Sequence, residues 1–284
     1  DALPISVIAA ALRPHQCVLC ADTGHINVHE SGAVEACGHK VSAIPSPDGK
    51  LTARQIEEAW HAHWDDETRE HMPQPRMVYI SQPTELGTIY SRKELQEISG
   101  VCRRRGLYLY MDGARLGYGL CDEDNDLDLP AIASLCDAFY IGGTKVGALF
   151  GEALVLRHEA LKEDFRYIAK QKGGRLAKGR LLGIQFLELF RDGLYFRLGA
   201  HADRLAVMLR DFCRSRGLSL PFSSGTNQQF VTMPDSVLEE LGRKYGFAYL
   251  RREDETHSTV RFCMSWATRE EDVRELMADI ARLC

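Results

Sequence analysis

Two stretches decide how the chain is read: LYLYMDGARLGYGL, residues 107–120, and DAFYIGGTKVGALFG, residues 137–151, separated by an acidic connection. Residues 107–111 are apolar and aromatic with no polar alternation, which predicts a strand buried on both faces of a parallel sheet. The run stops at Asp112. Open α/β sheets hold ligands in the crevice at the carboxyl ends of their strands, so Asp112 faces a candidate site, and Arg115 three residues on can enter the same crevice. The pattern then repeats. Residues 138–141 predict a second buried strand, and the turn Gly142-Gly143-Thr144-Lys145 that ends it offers a lone lysine with almost no side-chain bulk before it.

A lysine so placed is either a phosphate ligand or a Schiff-base nucleophile. The phosphate-loop spacing G-x-x-x-x-G-K-[ST] is absent, because Lys145 follows Thr144 and precedes Val146, and this favours the imine. An acid, an arginine and a lysine at successive strand ends are the parts that pyridoxal phosphate requires. The lysine takes the aldehyde, the carboxylate keeps the pyridine nitrogen protonated, and a hydroxyl, here Thr144, lies near the phosphate. On MDGAR and the Thr-Lys pair the chain resembles the fold-type I pyridoxal-phosphate enzymes, and within them the threonine aldolase and β-eliminating lyase family, from about Val7 to the C-terminus. The resemblance implies an α/β fold: a mainly parallel sheet with helices on both faces in a large cofactor-binding domain, residues 1–195, and a small C-terminal α+β domain, residues 196–284. Family members carry a first helix and a glycine-rich phosphate loop ahead of this point, so an N-terminal truncation is expected, with foreign residues at the very start. Residues 1–6 lack the basic segment and apolar core of a targeting sequence.

Composition bounds the alternatives. At 284 residues and 45% apolar content the chain has enough surface to bury for one large domain and a smaller one. The net charge of −5 is spread over interspersed acids and bases, which leaves no footprint for nucleic acid or an anionic membrane. No apolar run approaches the ~20 residues of a membrane span. Nine scattered cysteines, mostly inside apolar segments, suit reduced thiols in a cytoplasmic protein. Cys17, Cys20, Cys37 and His39 are a weak zinc set, since Val18 and Leu19 between the first two look like strand core, and no metal is expected.

In chain order, residues 7–12 predict a helical stub ended by Arg13-Pro14. Residues 17–21 predict a strand that delivers His25, and 26–38 a short helix closed by Gly38. A strand at 41–44 precedes a helix at 52–64 opened by a Thr52/Gln55 capping box. Residues 65–75 read as a solvated loop, with His61, His63 and His71 as surface side chains. The strand at 77–81 ends in Thr84 and Glu85, on the same crevice edge as Asp112 and Lys145. A helix at 91–105 follows, capped by Ser91 and Glu94. The acidic residues 122–128 lack the spacing of a calcium loop and read as solvated. Residues 151–157 predict a strand, and 183–216 helices broken at Gly193 and Gly199. The remainder alternates strand 229–233, helix 235–245, strand 259–264 and a last helix with a Thr268/Glu271 capping box.

The resemblance assigns roles. Lys145 would carry the cofactor, with its amine lowered from about 10.4 by cationic and apolar surroundings. Asp112 would face the pyridine nitrogen and His25 would stack on the ring. Thr84 and Thr144 would lie on the cofactor side, and Lys172, with Arg175, would approach the phosphate, in the family often across the subunit interface. Arg115 and Arg261 would grip the substrate carboxylate. Arg261 also stands out on its own, because a charge inside the run VRFCMSW is costly unless paired. The base is left open between Glu85, where many family members have a histidine, and a water held by His25 and Glu30. The implied reaction is cleavage of L-threonine or L-allo-threonine to glycine and an aldehyde, in a homodimer or homotetramer. β-Elimination or racemisation on the same scaffold shares the cofactor motifs. A nucleotide-binding reading finds no G-x-G-x-x-G, and Gly117-Tyr118-Gly119 lacks the third glycine.

Overall fold

The structure, a computed structural model, describes residues 2–284; Asp1, at the head of the opening segment discussed above, lies outside the described residues. The two buried runs form neighbouring strands of a six-stranded sheet. Its members are β1 (Gln16–Ala21), β2 (Lys40–Ile44), β3 (Gln74–Ser81), β4 (Tyr108–Asp112), β5 (Ala138–Gly142) and β6 (Glu152–Leu156), in the order β2-β1-β3-β4-β5-β6. The first five are parallel and β6 closes the edge antiparallel to β5. Successive side chains on a strand point to opposite faces, so a strand covered on both sides must be apolar throughout. The cores divide accordingly. Leu109, Met111, Phe139 and Ile141 pack with the helices Ala53–Trp64 and Arg92–Arg105. Tyr79, Tyr108, Tyr110 and Tyr140 pack on the other face with Val7, Ile8 and Leu12 of the helix Ala2–Ala11 and its extension. Two of the three expected capping boxes formed, with Ser91 and Thr52 each accepting from the backbone of the residue three on. Gly106 ends the helix Arg92–Arg105 at φ +63.

A smaller antiparallel sheet follows the helix Leu194–Ser215. It comprises β7 (Gln228–Pro234), β8 (Ala248–Arg252) and β9 (His257–Cys263), in the order β7-β9-β8. Val231 and Val260 of this sheet share one continuous core with Leu109 and Phe139 of the large sheet, which fixes the two sheets against each other.

Several local expectations change. Residues 26–38 form two single-turn helices, His25–Val28 and Ala33–Ala36, because Ser31 and Gly32 between them take positive φ. β3 begins three residues early, and His63 is buried rather than on the surface. β8 was not expected: all five of its residues are exposed, so it carries no apolar pattern. Gly199 does not break its helix. A Cβ there would stand 2.5 Å from the Gly117 carbonyl oxygen, so glycine permits close packing against the turn after Asp112. The last helix, Glu270–Leu283, has no side-chain cap, because the Thr268 hydroxyl accepts instead from the Ser265 amide at 2.9 Å. The helix at 235 stops at Gly242. The acidic connection is only partly solvated. Asp122 is buried, Asp126 accepts from the Arg92 amide at 2.6 Å, and Asp128 caps the helix Leu129–Leu135 by accepting from Ala131 at 2.8 Å.

Candidate active site

Asp112 ends β4 and Lys145 lies in the single turn that follows β5, so adjacent parallel strands bring both to one edge of the sheet. They line a pocket with His25, Glu30, Ser81, Glu85, Arg115 and Tyr140, and with Pro4 from the first turn of the opening helix. The β4–β5 approach depends on glycine. Gly142 donates to the Gly113 carbonyl at 2.8 Å, and a Cβ on Gly113 would stand only 1.8 Å from the Tyr140 oxygen.

The strand alternation explains how Asp112 is held. Tyr110 and Asp112 share a face of β4; Tyr79 on β3 lies opposite Tyr110, and Tyr140 reaches in from β5. Tyr79 donates to Oδ2 of Asp112; Tyr140 and the Ala114 amide donate to Oδ1 at 2.6 and 2.9 Å. Burial, then the Asp112 carboxylate, pushes both tyrosine hydroxyls well above their ordinary range, so both remain donors.

The Lys145 turn is tied from three sides. Tyr118 donates to the Lys145 carbonyl, Tyr195 donates to the Gly142 carbonyl at 2.9 Å, and Glu152 accepts from the Gly143 amide at 2.6 Å. Lys145 keeps an open face to solvent. Partial burial, followed by the Arg115 charge, nevertheless pushes its amine below the usual lysine value, while Asp112 and Glu152 pull the other way. Arg261, on β9 outside the lining, adds to the depression.

His25 Nδ1 lies 2.7 Å from Glu30 Oε1, and the His29 ring centroid is 5.0 Å away. Burial and then the His25 charge hold the His29 imidazole below its ordinary value. Glu85 accepts from the Ser81 hydroxyl at 2.7 Å and from the His25 amide at 2.9 Å, and burial raises its carboxyl above the ordinary range.

The structure thus brings together Lys145, Asp112, His25, Glu30, Glu85 and Arg115, with Arg261 close behind. Thr84 and Lys172 are placed elsewhere. The Thr84 hydroxyl pairs with Thr88 at 2.6 Å and accepts from Leu86, organising the turn after β3, and Lys172 meets the Cys37 thiol at 3.3 Å. Thr144 is exposed, 3.5 Å from the Gly151 carbonyl and beside Glu152. Arg175 lines a separate, mostly apolar cavity with Phe150, Leu154 and Phe165. Tyr79, Tyr140, Ser81 and Glu152 escaped the sequence reading; the period-two alternation that places Tyr140 on the Asp112 face was the available signal. Among the described residues no group of three or more His, Cys, Asp or Glu is arranged to hold a metal ion. Cys17 and Cys20, three apart on buried β1, point to opposite faces of the sheet.

Comparison with known proteins adds an independent line. The model of the β-eliminating lyase family matches residues 5–236. A low specificity L-threonine aldolase of Pseudomonas sp. (strain NCIMB 10558) is 35% identical over 280 residues, covering 96% of this chain and 78% of the relative. One of Pseudomonas aeruginosa is 34% identical over 277 residues, with the same coverage. A solved Leishmania major threonine aldolase superposes with a TM-score of 0.96 at 42% identity, over 99% of this chain and 81% of that one. A Thermus thermophilus aspartate aminotransferase mutant, at TM-score 0.71 and 15% identity over 100% of this chain and 74% of its own, shares the fold.

Proposed function

The chain belongs to the β-eliminating lyase family, and from that premise we propose that it is a pyridoxal-phosphate-dependent aldolase of the low-specificity L-threonine type. Such a carbon–carbon lyase splits L-threonine or L-allo-threonine into glycine and an aldehyde. The observation that carries the reading is the charge arrangement. Among the described residues Lys145, Arg115 and Arg261 form no ion pair; the first two share the pocket with a carboxylate, Asp112, that three donors hold in place, and the charge of Arg261 is felt at Lys145. Cations left without partners in partly enclosed surroundings call for anions from outside, and a substrate carboxylate and a cofactor phosphate are such anions. That arrangement, with a depressed lysine amine one strand from a fixed acid, fits pyridoxal phosphate.

Pyridoxal phosphate, when bound, supplies an electron sink for the pair left at the substrate α-carbon. Lys145 offers an amine whose neutral form is favoured by burial and by Arg115. Asp112 would hold the proton on the pyridine nitrogen. The Glu30 contact at Nδ1 fixes the His25 ring and leaves Nε2 as its free nitrogen, so that the imidazole lies ready to stack. Glu85, raised by burial, is matched better to proton transfer near neutrality than an ordinary carboxylate, and it would take the β-hydroxyl proton at its carboxylate oxygen. A water held by His25 and Glu30 is the second route. Arg115 and Arg261 would grip the α-carboxylate, each charge-assisted contact contributing ~1.5–3 kcal/mol. Thr144 would hold the cofactor on its phosphate side. Thr84 would act on the cofactor side through the turn that its hydroxyl organises, and Lys172, which lies against Cys37 within this chain, would approach the phosphate across a subunit interface.

The proposed domain boundary, 195/196, would lie in the first turn of the helix Leu194–Ser215 that leads to the small sheet. Exposed Leu149, Phe150, Leu176, Leu181, Ile184 and Leu187 support a homodimer or homotetramer. No described helix is long and apolar enough to cross a membrane. The nine free cysteines support the cytoplasm as the compartment, and the partner on this reading of the site is a small amino acid. The test is borohydride reduction with the cofactor, peptide mapping, and a substrate panel. Label on Lys145 and acetaldehyde from threonine are expected, with turnover abolished in Lys145→Ala and mostly lost in Asp112→Ala. Wild-type rates in the lysine variant, or ammonia release or racemisation without aldehyde, would overturn the assignment.

A further inference from the structure

Arg261 is held by a neutral residue. Its strand β9 runs antiparallel to β7, with Phe230 opposite Arg261 and Gln228 opposite Cys263, so Gln228 and Arg261 are diagonal neighbours on one face. Gln228 is fully buried, and its Oε1 accepts from Arg261 Nη1 at 3.2 Å. A guanidinium only donates, so the glutamine must turn its oxygen toward it, and the Cys263 thiol lies 4.0 Å from the same oxygen. Gln228 Nε2 and Arg261 Nε are both buried without a partner. The contact therefore fixes the guanidinium while leaving its charge uncompensated. A glutamate would occupy nearly the same volume and cancel that charge.

We propose that Gln228 is a positioning residue for the substrate: its amide oxygen aims Arg261 at the α-carboxylate, and its neutrality keeps that charge available. The inference rests on the reading of Arg261 given above. It makes recognition of a free α-carboxylate a property of the Gln228–Arg261 pair, with a neutral side chain required at position 228.

The test compares Gln228→Glu, Gln228→Met and Arg261→Leu as cofactor-loaded enzymes. In Gln228→Glu, KM for L-threonine and the calorimetric Kd for glycine are expected to rise at least ~10-fold, the loss of one charge-assisted contact, with kcat within about threefold. Labelling of Lys145 by borohydride and the cofactor absorbance stay as in the wild type. Gln228→Met, similar in length and uncharged, loses aim but not charge, so a smaller rise of a few-fold is expected; it also carries the test should the glutamate variant not fold. If Arg261→Leu leaves KM and glycine affinity unchanged, the carboxylate reading of Arg261 falls, and this inference with it. If Arg261→Leu weakens both while the folded Gln228 variants stay within twofold of wild type, the role of Gln228 alone is overturned.

Discussion

Replacing Asp203 with asparagine should stabilise the protein increasingly as pH rises. Asp203 sits on the helix Leu194–Ser215, 4% exposed, and neither carboxyl oxygen has a hydrogen-bond partner. Burial, then the nearby Asp122 carboxylate, pushes its carboxyl up to about 9. An unfolded aspartate titrates near ~3.9. Between those values the native protein retains a proton that the unfolded chain releases, so stability falls as pH rises, by up to ~1.4 kcal/mol per pH unit. Asparagine cannot ionise, so the variant escapes this loss. From pH 6 to pH 8 its advantage over wild type should grow by about 2.7 kcal/mol, or roughly 5–10 °C in Tm on the scale of ~2–4 °C per kcal/mol. Thermal melts at pH 6, 7 and 8 and fixed ionic strength measure the difference directly. A Tm gap that does not change with pH would refute the reasoning, because it would mean that Asp203 is ionised in the native state. Turnover should be unaffected, since Asp203 does not line the pocket.

Two further outcomes follow from the pocket's supports. Tyr140→Phe removes one donor from Asp112 while Tyr79 and the Ala114 amide remain, so kcat/KM for L-threonine should fall about 10-fold or more, the ~1.5–3 kcal/mol of a hydrogen bond to a charged group; a rate within twofold of wild type would remove Tyr140 from the mechanism. Gly113→Ala drives a methyl into the Tyr140 carbonyl, so β4 and β5 must separate. Both urea stability and cofactor affinity should drop, and an alanine variant with a wild-type melting curve and cofactor affinity would contradict the close approach.

Some elements could be read locally because their causes are local. The buried runs at β4 and β5 and the two capping boxes depend on residues within a few positions of each other, and all formed at or within a residue or so of the expected limits. Strand ends inherit their place from the sheet, so the sequence alone makes Asp112 and Lys145 legible as neighbours. β8 was not, because an exposed strand on a sheet edge owes its existence to the hydrogen bonds of β9 and to no apolar pattern of its own. Thr268 shows the converse, a good capping motif whose hydroxyl was claimed by the Ser265 turn.

The charged residues divide the same way. Sequence alone determined that an acid, a lysine and one arginine, Arg115, would meet at the carboxyl edge of a parallel sheet, because strand period and strand direction suffice for that; Arg261, on the small antiparallel sheet, was brought to the site only through the family resemblance. What it left open were the partners. Asp122 and Asp203 lie eighty-one positions apart and become a buried acid pair only when the long helix packs on the acidic connection. The tyrosine clamp on Asp112, the raised Glu85 and the neutral hold of Gln228 on Arg261 likewise arise from packing between distant segments. The energy of a charge depends on which groups surround it in space and how much water they exclude, and only the tertiary structure sets either.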